Sequence, residues 1–389
     1  MKILMIFVDM LRPNRFGAYN KGIQPNQIDD LIYDLGGTLY TNCFSPGPDT
    51  PRSMACFYSG LSPMENGCDT RVKWPSKFLH KNTPSIFDHF VKNNYKMNFF
   101  SNPNERKGGL FPPSISDIGN HNKDYDLEKY LSDVILADNH LLFLSIPDYH
   151  WALQDWGYTR KGEKVAIAET RRSLDIIFDR FNADEFDHIF LFSDHGFKFN
   201  AQLKVENWYE FVNRDRSNIF MFSRKKGDHE ISYEDKLCSI QDVTHAVDEI
   251  FGYKSDFSLL GHNSKRDYVV IEDHYSISPP KVNQDVDIWA VITKDVMYIR
   301  TLENAVLVKN DEIIDNEVKP KYDEILKRES QFGRYYDEYE KVFTYHKLIL
   351  AQTSYMNGNS RPSNSRQQQL LRWIQAVKDK LRLACKKRL

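Results

Sequence analysis

The sequence predicts an α/β protein with a mainly parallel central sheet flanked by helices and a small antiparallel α+β C-terminal subdomain. Up to Gly252, short apolar runs alternate with amphipathic helical patterns, which is typical of βαβ units. From about Arg266, the pattern changes to short stretches of alternating apolar and polar residues, which favour antiparallel strands.

The expected elements follow this periodicity along the chain. Extended runs cover residues 3–9, 96–100, 141–146 and 188–192, and helical patterns cover residues 85–92, 126–136, 163–181 and 241–251. In the C-terminal part, the runs RDYVVIEDHYSI, DIWAVITKDVMYIRT and AVLVKNDEII predict strands, and a charged helix is expected near Tyr322 to Phe343.

These patterns divide the chain into four expected segments. An α/β domain spans residues 1–265, and the antiparallel subdomain with its helix spans residues 266–355. A polar linker covers residues 356–369, and a basic amphipathic helix covers residues 370–389. Three roles for that helix are open: a membrane-surface anchor, a partner-binding helix or a solvated tail.

Composition restricts the functional class. The 389 residues carry a formal charge of -2, so we expect no nucleic-acid partner. The five cysteines are scattered without a Cys-x-x-Cys pair, which argues against a disulfide scaffold or zinc ribbon and favours a reducing compartment. The sequence shows no signal-peptide pattern and no apolar stretch near the roughly eighteen residues of a membrane span. We therefore expect a cytoplasmic protein, or one held at the inner face of a membrane by its basic tail.

Three of the apolar runs end in carboxylates or imidazoles. The first run ends at Asp9, the second leads to Asp148 and His150, and the third to Asp194 and His195. Because the carboxyl ends of parallel strands meet at one edge of a sheet, these side chains are expected to converge there. Carboxylates together with imidazoles suit a divalent cation, whereas any one of these aspartates taken alone could be a solvated strand end.

A threonine stands at the predicted start of a helix between the first two of these runs. Thr50 precedes Pro51, and the following residues suit a helix closed by Gly60, so Thr50 is the predicted N-cap. Two interpretations are open: Thr50 is only a cap, or it is a hydroxyl nucleophile that the helix N-terminus and a nearby cation activate. In the second case, Arg52 would hold the anionic group of the substrate.

The motifs resemble a known superfamily. FVDMLRPNRFGAYN resembles the opening of the sulfatase branch of the alkaline phosphatase superfamily, and DTPRSMACFYSGLSPMENG resembles its nucleophile segment. LFSDHGF resembles its later metal-binding Asp-His-Gly, and IQDVTHAVDEIFGY resembles the helix that follows. The resemblance covers about residues 1 to 350, and its three main motifs occur in the expected order.

The resemblance implies a site as well as a fold of the alkaline phosphatase/sulfatase type. Asp9, Thr50, Asp194 and His195 would bind a divalent metal (Mn, Zn, Ca or Mg), and Thr50 would attack phosphorus or sulfur. His150 matches a histidine near the substrate, and Lys204 would stand in for the lysine that follows Asp-His-Gly. One metal is preferred; in the alternative, Asp148 and His262 contribute to a second metal or a substrate site.

Two departures from the sulfatase pattern shift the expected chemistry. Met10 stands where sulfatases have a second adjacent aspartate. Sulfatases also need a cysteine or serine that is oxidised to formylglycine, and Thr50 cannot form that aldehyde. A threonine instead resembles the phosphodiesterases and the phosphoethanolamine or phosphoglycerol transferases of the superfamily.

The sequence therefore predicts a metal-dependent phosphoester hydrolase or phosphotransferase that forms a phosphothreonine at Thr50. Its substrate would be a small molecule, a glycan or a lipid headgroup, and a basic tail would suit peripheral membrane contact. The alternatives are a sulfatase-like hydrolase without formylglycine and a non-catalytic scaffold.

Overall fold

The computed structural model describes residues 1–68, 83–102, 118–197, 205–255, 257–261, 266–277, 284–337 and 339–340. Lys204, His262, the expected linker and the expected basic tail helix therefore lie outside the described residues. Met1–Gln331 form one compact unit, and the elements below belong to it. The expected boundary at residues 265–266 falls between two sheets of this unit.

A mixed central sheet forms the middle of the α/β part, and its strands are mostly parallel. Within the described ranges it has eight strands: β1 (Lys2–Val8), β2 (Gly37–Phe44), β3 (Lys96–Phe100), β4 (Asn120–His121), β5 (His140–Ile146), β6 (His188–Phe192), β7 (Met221–Lys225) and β8 (Ile231–Ser239). Their order is β4-β3-β5-β1-β6-β7-β2-β8, and β7 runs antiparallel to both of its neighbours. The predicted mainly parallel sheet is confirmed.

The three ligand-bearing runs of the sequence lie side by side at the centre of this sheet. Leu4 of β1 pairs with Leu142 of β5 on one side and with Ile189 of β6 on the other, both in parallel register. The carboxyl ends of β5, β1 and β6 therefore reach the same edge. This adjacency brings the polar residues that follow the three strands together.

Helices cover both faces of the sheet. Among the described residues, the helices of this unit are α1 (Gln27–Leu35), α2 (Thr50–Ser59), α3 (Pro63–Asn66), α4 (Ile86–Lys92), α5 (Leu127–Asp133), α6 (Asp148–Trp156), α7 (Arg160–Arg180), α8 (Arg214–Ser217), α9 (Gln241–Ile250) and α10 (Pro320–Glu329), with 3-10 turns at Pro13–Arg15, Ala183–Glu185 and Val205–Val212. Alternate residues of β1 enter opposite cores: Ile3 packs with α2, α4 and α9, and Leu4 packs with α1, α6 and α7. Because both faces of β1 are buried in apolar cores, its sequence is a continuous hydrophobic run.

The predicted antiparallel sheet is also present. Its strands are β9 (Val269–Ile277), β10 (Gln284–Ile292), β11 (Met297–Arg300), β12 (Ala305–Lys309) and β13 (Glu312–Asp315), paired in sequence order. The charged helix that follows is interrupted: α10 ends at Glu329, where Ser330 takes an extended conformation, and residues 332–337 are helical again. Among the described helices, none is long and apolar enough to cross a membrane.

His140, at the start of β5, gives the fold a testable pH dependence. The residue is fully buried, and its Nδ1 atom accepts a hydrogen bond from Ala137 N at 3.0 Å. Burial, with the charges of Lys96 and Lys2, lowers the pKa of His140 to about 4. The unfolded chain therefore binds this proton at higher pH than the folded chain, so the stabilisation is present above the ordinary histidine pKa and is lost as pH falls towards 4.

We expect a His140→Asn variant, which keeps an acceptor for Ala137 N, to lose less stability on acidification than the unsubstituted protein. Urea unfolding at pH 7.5 and at pH 5 measures the stability that each protein loses on acidification. The difference between the two losses should correspond to a few degrees in Tm. An equal loss of stability in both proteins would rule out this role for His140.

Candidate metal and nucleophile site

Three potential metal ligands converge at the carboxyl edge of the central sheet. Asp9 directly follows β1, and Asp194 and His195 follow β6 after one intervening serine. One ligand atom from each residue lies within 4.8 Å of the others. His195 Nε2 is 3.9 Å from Asp9 Oδ1 and 3.6 Å from Asp194 Oδ2. The structure thus brings together three of the residues that the sequence predicted as ligands.

The free atoms of this cluster are those that a cation would use. Asp9 Oδ1 and Asp194 Oδ2 are buried and have no hydrogen-bond partner among the residues that the structure describes. A buried carboxylate oxygen without a partner is costly, and coordination to a cation removes that cost. The donor set of two carboxylates and an imidazole fits a divalent cation without fixing its identity.

The backbone fixes the tautomer of His195. Its Nδ1 atom lies 2.9 Å from the carbonyl oxygen of Gly196, which can only accept a hydrogen bond. Nδ1 therefore carries the proton, and Nε2 presents its lone pair to the two carboxylates. Many metal-binding histidines are oriented in this way by a bond from the second ring nitrogen.

Contacts with the backbone fix the positions of Asp194 and of Gly196, which follows His195. Ser53 Oγ donates to the carbonyl oxygen of Asp194 at 2.8 Å, and Met10 N donates to Asp194 Oδ1 at 3.0 Å. Met10 adopts a left-handed conformation with φ of 67°, which is rare for a residue other than glycine and aims this N–H at the carboxylate. A Cβ atom on Gly196 would lie 2.2 Å from the carbonyl oxygen of Asp215, so glycine is required there.

The pKa values of the two carboxylates are shifted in opposite directions. Burial raises the pKa of Asp194 to about 6, and the charge of Asp9 acts in the same direction against the neighbouring His195. Burial also disfavours the charge of Asp9, but the hydrogen bond and charge of His150 outweigh it, so the pKa of Asp9 is lowered. A divalent cation would allow both groups to remain ionised at neutral pH.

Thr50 places its hydroxyl beside the cluster, but it is not the helix cap that the sequence predicted. Thr50 Oγ1 is 3.5 Å from His195 Nε2. The N-cap is Asp49, whose carboxylate accepts from Arg52 N, and Thr50 is the first residue of α2. Aspartate is the stronger cap and precedes the helix by one residue, so it takes the position that spacing assigned to Thr50.

This capping also changes the expected role of the backbone at the helix N-terminus. Pro51 has no N–H group, Arg52 N bonds the Asp49 side chain, and Ser53 N bonds the carbonyl oxygen of Asp49. These N–H groups are therefore not available to bind an anion, although the dipole of α2 still favours negative charge near Thr50.

Arg52 does not serve the cluster as expected. Its guanidinium is almost fully buried and donates to the carboxylates of Asp49 and Asp273 and to the carbonyl oxygen of Glu272. Burial opposes its charge, but Asp49 and Asp273 together raise the pKa of Arg52 above its ordinary value. The two carboxylates and the carbonyl oxygen thus occupy N–H groups of the Arg52 guanidinium. Arg52 therefore has a structural role instead of the predicted role of holding the substrate anion.

His150 joins the cluster through Asp9. Its Nδ1 atom is 2.7 Å from Asp9 Oδ2, and its Nε2 atom is 2.9 Å from Gln154 Nε2. Gln154 was not predicted from the sequence, although its spacing of four residues from His150 would have indicated a shared helix face once α6 was known.

Asp148 points to a different environment. Residues 148–150 form the first turn of α6 rather than a strand end, and positions two apart on a helix face different directions. Asp148 Oδ2 accepts from Ser173 Oγ at 2.9 Å, and burial raises the pKa of Asp148. Asp148 is not part of the ligand group found among the described residues. The predicted contributions of Lys204 and His262 fall outside the described residues.

Comparison with known proteins adds a fold assignment. No protein-family model and no curated protein matches the chain. Among solved structures, a 2-O GAG sulfatase is similar with a TM-score of 0.61 and 13% identity, over 93% of this chain and 95% of that chain. A phosphonate monoester hydrolase of Agrobacterium radiobacter gives a TM-score of 0.57 and 13% identity, over 91% and 95% of the two chains. An alkaline phosphatase superfamily protein from Vibrio parahaemolyticus gives 0.58 and 14%, over 87% of each chain.

These similarities extend over 87–95% of each matched structure. At such low identities they show the fold but not the reaction, which must be inferred from the residues of the site. The chain therefore has the same fold as these solved sulfatase and phosphonate hydrolase structures.

Proposed function

We propose that the protein is a metal-dependent phosphoester hydrolase or phosphotransferase whose nucleophile is Thr50. One observation carries the proposal: the threonine hydroxyl lies 3.5 Å from the lone-pair nitrogen of His195, beside two carboxylate oxygens that lack partners among the described residues. Nucleophile and ligands thus lie within reach of a single cation.

A divalent cation held by Asp9, Thr50, Asp194 and His195 would stabilise the deprotonated hydroxyl and offset negative charge on the transferring group. Thr50 Oγ then forms a bond to phosphorus while the bond from phosphorus to the leaving oxygen breaks. The hydroxyl proton passes to solvent. His150 in its imidazolium form, with Nδ1–H bonded to Asp9, donates the Nε2 proton to the leaving oxygen and then takes up a proton from solvent. Asp9 orients the imidazole of His150 through Nδ1, and Gln154 contacts the other nitrogen.

The second half of the reaction decides between the two activities. Attack of water on the phosphothreonine releases phosphate or a phosphomonoester and regenerates Thr50. Attack of a sugar or lipid hydroxyl transfers the group instead. Tyr158, partly exposed, packs its ring at 5.5 Å from that of Phe197, two residues beyond His195. An exposed aromatic ring beside the cluster suits the apolar face of a sugar, which favours a glycan substrate.

A panel of model esters tests this proposal. The purified protein is loaded in turn with Mn, Zn, Mg or Ca and supplied with bis(4-nitrophenyl) phosphate, 4-nitrophenyl phosphate and 4-nitrophenyl sulfate. We expect metal-dependent cleavage of a phosphate ester, with acid-quenched protein carrying a phosphoryl group on the peptide that contains Thr50. Absence of divalent metal binding, or a phosphoryl group on a different peptide during turnover, would contradict the proposal.

Sulfate ester hydrolysis is the second candidate, and the similarity to a 2-O GAG sulfatase favours it. The same panel separates the two, because a sulfatase would cleave 4-nitrophenyl sulfate in preference to both phosphate esters. Thr50 would then act directly as the nucleophile, since a threonine cannot be converted to the formylglycine of ordinary sulfatases.

A further inference from the structure

Three separate loops supply the residues of the candidate site. One follows β1 and carries Asp9, a second begins α6 and carries His150, and a third follows β6 and carries His195. The four described cysteines are free, so none of them forms a disulfide between these loops. The side chains of the three loops must nevertheless be held to within about half an ångström for efficient metal binding and catalysis.

A buried glutamate in the first turn of α7 contacts two of the loops directly. Glu163 Oε1 accepts from Arg12 Nη2 at 3.3 Å and from Tyr149 Oη at 3.2 Å. Its Oε2 accepts from Arg15 Nε at 3.0 Å. Arg12 and Arg15 belong to the loop after β1, and Tyr149 is the neighbour of His150 in α6.

Arg12 extends the network to the third loop. Its Nη1 donates to the carbonyl oxygen of Phe197 at 3.0 Å, and its guanidinium lies 4.6 Å from the centre of the Phe197 ring. Phe197 is two residues beyond His195. Glu163 and Arg12 are each at most 3% exposed, so solvent does not screen their ion pair.

We propose that Glu163 is a positioning residue for the metal site, because it holds the loops of Asp9, His150 and His195 in one buried network. The inference rests on the proposed function and adds a residue that makes no contact with the cluster itself. Removing its charge leaves Arg12 and Arg15 without their shared buried carboxylate, so the loop after β1 would be the first to move. Networks behind a metal site commonly change metal affinity by about tenfold to a hundredfold.

The test compares two variants of similar chemistry. Asp323 is a buried carboxylate on α10. It accepts a hydrogen bond from Tyr298 Oη at 2.6 Å and lies 3.4 Å from Arg300 Nε, both on β11 of the antiparallel sheet. Glu163→Gln and Asp323→Asn therefore each remove a buried charge that contacts a tyrosine and arginine, with two arginines at Glu163 and one at Asp323. Mn²⁺ affinity of the full chain is measured by calorimetry, and urea unfolding shows how much each variant is destabilised.

We expect Glu163→Gln to weaken Mn²⁺ binding by about tenfold or more, and Asp323→Asn to leave it within about twofold of the unsubstituted protein. Equal Mn²⁺ affinity in Glu163→Gln and the unsubstituted protein would overturn the inference, as would equal weakening in Asp323→Asn. If the unsubstituted protein itself binds no divalent metal, the proposed function fails instead, so the two failures are distinguishable.

A milder variant tests separately the part of the inference that concerns His150. Tyr149→Phe retains the buried ring and removes only the hydrogen bond to Glu163. This bond reaches the His150 loop but not the metal ligands, so we expect unchanged Mn²⁺ affinity and a roughly tenfold lower kcat with unchanged KM for bis(4-nitrophenyl) phosphate. An unchanged kcat would remove the His150 loop from the inference.

Discussion

Replacing Thr50 with alanine should lower kcat for phosphate esters by roughly four orders of magnitude, which is the scale of removing a covalent nucleophile. The expected loss is this large because, among the described residues, Thr50 alone places a hydroxyl in contact with His195 Nε2. The protein should still bind Mn²⁺, since Asp9, Asp194 and His195 supply the remaining ligands. Steady-state kinetics and calorimetry on the same preparation measure both effects.

Two further variants make the result specific to the Thr50 hydroxyl. Thr50→Ser keeps the hydroxyl at the first position of α2 and should retain measurable turnover and the phosphorylated peptide. Thr38→Ala removes a hydroxyl on β2 whose one side-chain partner among the described residues is Ser232, at 2.8 Å, and should leave kcat unchanged. If Thr50→Ala kept most of its activity, water or another group would be the nucleophile, and the proposed mechanism would be wrong.

Replacing Arg52 with methionine should reduce the free energy of unfolding by about 3–5 kcal/mol, because it removes the buried cation that Asp49 and Asp273 share and leaves Asp273 with the longer contact to Arg216 at 3.3 Å. That is a large part of the stability of an ordinary domain. The expectation follows from the position of the guanidinium, which also bonds the backbone of Glu272. Urea unfolding monitored by circular dichroism measures the loss.

The same variant tests the correction to the sequence-based role of Arg52. If the side chain held the substrate anion, Arg52→Met would raise KM and leave the unfolding curve unchanged. A buried structural cation gives the opposite pattern, with a lower urea midpoint and an unchanged KM below that midpoint. Arg52→Lys should recover only part of the stability, since an ammonium group cannot reproduce the bonds to two carboxylates and a carbonyl.

The convergence of Asp9 and Asp194 was predictable from the sequence because it depends on where two buried strands end and on their parallel arrangement. The runs before Asp9 and Asp194 identify strands, and the parallel arrangement sends their ends to one edge. The same reasoning failed for Asp148, because the apolar run hides the point at which α6 begins after Pro147. Thr50 was placed near the site correctly but one position early in its helix, because two residues that both cap well are adjacent.

The supporting contacts were not predictable in the same way. Gln154 and Glu163 act across helices that are distant from Asp9 in sequence, and their partners depend on how α6 and α7 pack. Arg52 was ambiguous for a similar reason: its position in the motif suggested an anion ligand, whereas Asp273 lies 221 residues away. Local patterns carry no information about such pairs until the tertiary fold is known.

The antiparallel strand β7 separates the nucleophile from the metal ligands in the order of assembly. β2, which leads to Thr50, reaches β6 only through β7, whose pairing residues include Phe222. We therefore expect the β5-β1-β6 ligand strands to associate during synthesis before β7 joins β2 to them. A nascent chain that ends before Met221 would contain Thr50 and the acidic cluster but would lack the strand between β2 and β6. The sheet around the site would then be completed only once more than half of the chain has been made.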